Sequence, residues 1–223
     1  EDRSGPLKQK TWMDVLTDEN DVWLNAVRSE DYHDYFSAAF LYLEDMSRSV
    51  KAGHFGRAAM SCSCVAADLV NLGDSRAAIT LYDEAAKIYE GNADLAVGYS
   101  IRESIWSLSH AYEYYYLISD SLAAERVART YLSISKKIDH FRGEENASKI
   151  LRDTRDKVDE ARASLEPPRN YTGDIAPTAM AELRKAIAKV LELAHSRAPK
   201  LRLPPQGSRE RETGFDYERD IIS

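Results

Sequence analysis

Apolar residues recur along this chain at three- and four-residue steps, and no run alternates apolar with polar positions as a half-buried strand would. The pattern predicts an all-α protein. Trp12, Val15, Leu16, Val22, Trp23 and Val27 predict one or two short helices after a ten-residue lead. A long helix follows over 30–51, with Phe36, Phe40, Leu43, Met46 and Val50 on one stripe, until "AGHFG" breaks it. The next helices span 57–72 and 76–89, parted by "GDS" and stopped at "EGN", where Gly91 supplies a helix end. A longer helix covers 93–118. "SDS" closes it, and Asp120 or Ser121 caps a helix over 122–137.

The helix predicted over 144–165 carries a thin seam of Ala147, Leu151, Thr154, Val158, Ala161 and Leu165, the narrow stripe of a terminal capping helix. Pro167-Pro168 ends it. The chain therefore divides into a lead with short helices (1–29), a helical body (30–165), a linker (166–177), a last helix (178–198) and a charged tail (199–223). The last helix sets Met180, Leu183, Ile187, Val190 and Ala194 on one side. The tail carries Phe215, Tyr217, Ile221 and Ile222 among charges and reads as a segment that docks on a partner or on a second copy of the chain.

The breaks repeat. "GDSRAA" at 73–78 returns as "SDSLAA" at 119–124, 46 residues later, and "GHFGRAA" at 53–59 is a looser echo. Small residues beside a tight turn let two antiparallel helices approach closely, and stacked pairs share one core. Ala78, Tyr82 and Ala85 follow the turn, and Val65, Ala66 and Leu69 precede it; the second copy offers Ala124, Ala128 and Tyr131 after Leu108, Ala111, Tyr112 and Tyr115. On these residues the chain resembles the tetratricopeptide family, in its long-helix variants similar to soluble NSF-attachment proteins. The resemblance implies a right-handed stack of antiparallel helix pairs, a TPR-like α-α superhelix. Bulky Tyr112 stands at the family's small site, Glu90 at its terminal proline, and the 46-residue spacing exceeds the usual ~34 residues.

The net charge of −7 changes the picture of partners. Residues 138–223 hold 16 basic and 16 acidic side chains of the chain's 30 and 37, so the whole deficit lies in the body. An acidic body argues against nucleic acid, whose phosphates need cationic neutralisation. No run approaches the ~20 apolar residues of a membrane span, which argues against membrane insertion. The two cysteines, Cys62 and Cys64, would point about 200° apart on a helix, too far for a shared bond. Thiols without a disulfide framework suggest a cytoplasmic protein. The chain opens on "EDRSGPLKQK" without methionine, as a piece or a processed product of a longer chain would.

The run "HAYEYYYLISD" carries the candidate surface. Projection at ~100° per residue sets Val97, Ile101, Ile105, Leu108, Tyr112, Tyr115 and Tyr116 on a core face. Tyr99, Glu103, Trp106, Ser107, His110 and Tyr114 gather opposite. In the resembled family the first helix of each pair lines a groove, which implies Trp106, Ser109, Glu113 and Tyr116 as groove positions. Tyr99, Glu103, Trp106, Ser109, His110, Glu113, Tyr114 and Tyr116 are therefore the expected partner-binding residues, for a cationic or amphipathic protein or peptide partner.

Two Glu-x-x-His pairs, Glu30–His33 and Glu192–His195, have the spacing of carboxylate-bridged di-iron bundles, with Glu44 or Glu103 as further ligands. A histidine in a last helical turn is equally favoured by the helix dipole. Phosphate-binding glycine loops and G-x-S-x-G, H-E-x-x-H and C-x-x-C motifs are absent from the sequence. The reading is a non-enzymatic interaction scaffold or adaptor with no cofactor or metal. Its alternatives are a helical metalloprotein or a regulatory segment of a larger protein.

Overall fold

The computed structural model describes residues 21–138, 143–162 and 175–198, which form eight helices and no strand. They are α1 (Val22–Asp31), α2 (Tyr35–Ala52), α3 (Phe55–Asn71), α4 (Ser75–Ala96), α5 (Ile101–Leu117), α6 (Ser121–Ile138), α7 (Gly143–Arg162) and α8 (Pro177–Arg197). Helices α1 to α7 each pack on their chain neighbours, α5 also packs on α7, and α8 packs back on α2. One apolar core runs through the set. Every residue that carried the repeat is in it: Ala78, Tyr82 and Ala85, Val65, Ala66 and Leu69, and their counterparts Leu108, Ala111, Tyr112, Tyr115, Ala124, Ala128 and Tyr131 are all buried.

The repeat is at bottom a repeated turn. His33, Gly53, Gly73 and Ser119 all adopt positive φ, at 60°, 79°, 82° and 65°. In each case the next residue donates its N–H back to a carbonyl five positions earlier: Asp34 to Ser29 (2.9 Å), His54 to Ser49 (2.9 Å), Asp74 to Leu69 (2.8 Å) and Asp120 to Tyr115 (2.9 Å). This left-handed closure satisfies the last carbonyls of one helix. The same residue then opens the next helix, and the Asp34, Asp74 and Asp120 carboxylates accept from the N–H of Ser37, Ala77 and Ala123. One turn into each new helix stands a buried alanine, Ala38, Ala58, Ala78 or Ala124, where a larger side chain would push the neighbouring helix away.

Two of the four turns use a residue with a Cβ in a conformation that favours glycine. Ser119→Gly is expected to raise the unfolding free energy by about 0.5–1 kcal/mol, and Gly73→Ala to lower it by about 1 kcal/mol. Urea titration of both variants checks this, and superimposable curves would mean the turns are not held in this form.

Helix boundaries depart from expectation in three places. The helix expected over 30–51 is two helices, because Tyr32–Asp34 forms the first of the repeated turns. Gly91 does not end α4, which runs on to Ala96 with Gly91 buried inside it. The polar residues around Gly91 are held by the next helices. Glu90 accepts from the Tyr115 hydroxyl (3.1 Å) and from Arg126 (3.0 and 2.7 Å), and Asn92 donates to Ser107 (2.9 Å). The chain instead reverses at Val97–Ser100, so the helix expected over 93–118 is split there. Ser100 then caps α5 by accepting from the Glu103 N–H at 3.3 Å.

The seam of α7 buries Ala147, Leu151 and Val158, while Ala161 is exposed and Leu165 lies outside the described residues. Trp12, Val15 and Leu16, residues 166–174 of the linker expected over 166–177, and the tail also lie outside them, and Pro177 already opens α8. Both cysteines are free. Cys62 is fully buried with its thiol on the Leu81 carbonyl at 3.4 Å, and burial pushes the Cys64 thiol up to about 12, so neither is poised as a nucleophile.

Candidate interaction surface

The aromatic-polar face of α5 turns toward α3, α4 and α7. Trp106, His110 and Tyr114 follow at four-residue steps and meet the rings of α4. Tyr89 packs edge-on to Trp106 (centroids 5.4 Å apart) and stacks on His110 (5.2 Å), while Tyr114 stacks on Tyr82 (5.3 Å). Gly56 makes room for this ladder, since a Cβ there would meet Trp106 Cζ3 and Asn92 Nδ2 at 3.1 Å each. Burial drives the Tyr114 phenol far above its ordinary pKa, so it stays neutral. These rings are mutual packing partners: Tyr82 and Tyr89 are buried, and Trp106, His110 and Tyr114 are half-buried.

Charged groups next to the ladder are also engaged. Glu113 lies 3.4 Å from His110 Nδ1 and 3.1 Å from Lys157 Nζ of α7. Burial pushes its carboxyl upward, but these two partners outweigh that and hold it below the usual range. Ser109 donates to the Trp106 carbonyl at 2.7 Å. Tyr116 is covered by α7: its hydroxyl donates to the Asp159 carboxylate at 3.3 Å, and Arg162 and Arg155 lie 4.6 and 5.5 Å from its ring centre. In this chain α7 occupies the side on which Glu113 and Tyr116 were expected to meet a partner.

Tyr99 and Glu103 stand apart from that packing. Tyr99 is 66% exposed, and Glu103 accepts from Asn92 at 3.2 Å. Slight burial and the neighbouring Glu103 carboxylate raise the Tyr99 phenol. Around Tyr99 the α4–α5 turn gathers Leu95, Val97 and Ile101, each 42–49% exposed. Of the large hydrophobic side chains exposed among the described residues, half fall within 95–101; the others, Tyr32, Ile79, Leu122 and Ile150, are scattered. Such clustering marks a contact surface more than isolated apolar residues do. Sequence projection had set Val97 and Ile101 on the core face, because it ran one helix through a turn. The signal that corrects it is local: Gly98 followed by Ser100-x-x-Glu103 is a break and a helix start.

The two Glu-x-x-His pairs do not meet. Glu30 accepts from the Tyr42 hydroxyl at 3.0 Å, His33 lies in the α1–α2 turn beside Tyr35, and His195 pairs with Glu84 of α4. Among the described residues no three His, Cys, Asp or Glu side chains converge as a metal site. No described helix is long and apolar enough to cross a membrane. Against known proteins the chain matches no family model, no curated protein and no solved structure, so the reading of this surface rests on its own residues.

Proposed function

We propose that this chain is a non-enzymatic scaffold, a TPR-like stack of helix pairs that presents a rigid surface to a protein or peptide partner. The observation that carries the reading is the exposed cluster of Leu95, Val97, Tyr99 and Ile101 at the α4–α5 turn, held in place by the buried Glu90 and Asn92 contacts. Asp94 and Glu103 flank it, so the partner it suits offers an apolar or aromatic side chain beside a basic one. The repeated turns and the alanine one turn beyond each of them support the stack. The ladder of Trp106, His110 and Tyr114 stiffens the hairpin beneath the patch rather than forming the contact.

Cross-linking and pull-down with the wild-type chain and with a Tyr99→Asp/Ile101→Asp variant tests this. One specific partner is expected from the wild type and at least a tenfold loss of it from the variant, with the melting temperature unchanged because both side chains are exposed. Retention of the partner by the variant, or no specific partner for the wild type, overturns the reading.

A further inference from the structure

Helix α8 breaks the order of the stack. It packs mainly not on α7, its chain neighbour, but on α2, and reaches α4 through charged side chains. Its apolar stripe is narrow: Leu183, Ile187 and Ala194 are buried, with Met180, Val190 and Leu191 half-buried beside them. Arg184 meets Asp74 at the start of α4 (2.7 Å), and His195 meets Glu84 in its middle. Arg197 donates to the Lys51 carbonyl at the end of α2 (3.4 Å), so α8 runs in the same direction as both helices.

The two sides of this contact differ in kind. With α8 seated, Asp74 and Glu84 are 12% and 13% exposed, whereas Arg184 and His195 are 59% and 60% exposed. Each acid also has a partner of its own within the stack: Asp74 accepts from the Ala77 N–H, and Glu84 pairs with Lys87 at 3.1 Å. Burial raises the Glu84 carboxyl, but His195 and Lys87 outweigh it and hold it below its ordinary value. The acids therefore belong to the seat, since Ala77 and Lys87 partner them within α4 independently of α8. The bases belong to the helix.

We infer that the α2–α4 face is a receptor for a basic amphipathic helix, that α8 occupies it in cis, and that a partner helix of the same pattern displaces α8. The pattern is apolar residues at the spacing of 183, 187, 190 and 194 with a base near each end. This surface is separate from the α4–α5 patch, and the two proposals stand or fall independently.

The probe is a fluorescein-labelled peptide of residues 175–198, titrated into the full chain and followed by anisotropy. Ile187→Asp in the chain unseats its own α8 and is expected to tighten peptide binding at least tenfold. A peptide with Arg184→Glu and His195→Glu is expected to bind that variant at least tenfold more weakly. A variant chain that is helical by circular dichroism yet binds the peptide no better than wild type overturns the inference. Hydrogen exchange on the wild-type chain decides the matter if the variant fails to fold. Unlabelled peptide is expected to speed exchange of the α8 amides and leave those of α3 unchanged. Exchange of α8 only together with α3, with or without peptide, overturns the inference.

Discussion

Arg57→Ala lowers the free energy of unfolding by about 3–5 kcal/mol. The guanidinium, on α3, ties that helix to α1 and α2. Its Nε lies 3.1 Å from both oxygens of Asp45 in α2, and Nη2 lies 3.0 Å from both oxygens of Asp21, the residue that caps α1. Ser61 adds a hydroxyl donor to Asp45 at 2.5 Å. Both carboxylates are largely buried, at 7% and 4% exposure against 14% for the arginine, so surface screening does not weaken the argument much. Burial alone would lower the arginine's pKa, but its hydrogen bonds to Asp45 and Asp21 outweigh that and hold it charged.

Most of the loss comes from leaving two carboxylates without a countercharge rather than from the attraction removed. That division is testable. Adding Asp45→Asn to Arg57→Ala removes one orphaned charge and is expected to recover about half of the loss, a non-additivity that urea titration of the single and double variants reads directly. A loss under about 1 kcal/mol for Arg57→Ala would mean water reaches both acids.

The helical architecture was legible because three- and four-residue spacing is written in side chains that must be buried, and Val65, Leu69, Leu108, Tyr112 and Tyr115 are buried. Boundaries were legible only where a glycine or a Ser-Asp pair punctuated the chain. The α1–α2 turn was missed since His33 carries the left-handed conformation without being glycine, and its stability comes from the Asp34 cap and backbone closure. Gly91 misled for the opposite reason. A glycine ends a helix only where its carbonyls need another partner, and around Gly91 tertiary contacts of Glu90 and Asn92 keep the helix going.

The candidate surface was half legible. Ring-to-ring packing of Trp106, His110 and Tyr114 on α4 depends on Gly56 and Tyr89, which lie far away in sequence, and no periodicity announces it. Tyr99 was named, whereas Val97 and Ile101 were assigned inward by a projection that the turn at 97–100 invalidates. The buried acid of α3 was not singled out at all. Asp68 occupies an apolar helix position, and nothing local distinguishes it from a solvated aspartate until α1 covers it.

Asp68→Asn should therefore make the protein more stable at pH 8 and flatten its pH dependence. Asp68 is fully buried and faces the Glu30 carboxylate, to which its protonated carboxyl donates. Burial first, then the negative charge of Glu30 and the hydrogen bond to it, push its pKa from 3.8 up to about 9. Tyr42, which donates to Glu30 at 3.0 Å, and Cys64 complete the surroundings, and both are themselves driven upward by burial and by these acids. Among the described residues no cation acts on Asp68. A carboxyl so placed keeps its proton in the folded chain while the unfolded chain releases it above about pH 4.

Between about pH 4 and 9 the folded state thus binds more protons, and stability falls as pH rises, by up to about 1.4 kcal/mol per pH unit. The amide cannot ionise, so its curve lacks this slope, and at pH 8 the variant is expected to exceed wild type by at least about 2 kcal/mol. Glu30→Gln separates the two causes: it removes the like charge and leaves the burial, so it reduces the slope without abolishing it. Urea titrations at pH 5, 6.5 and 8 give all three curves. Parallel curves for wild type and Asp68→Asn would show that Asp68 is ionised in the folded chain, and that α1 does not seal this part of the core from water.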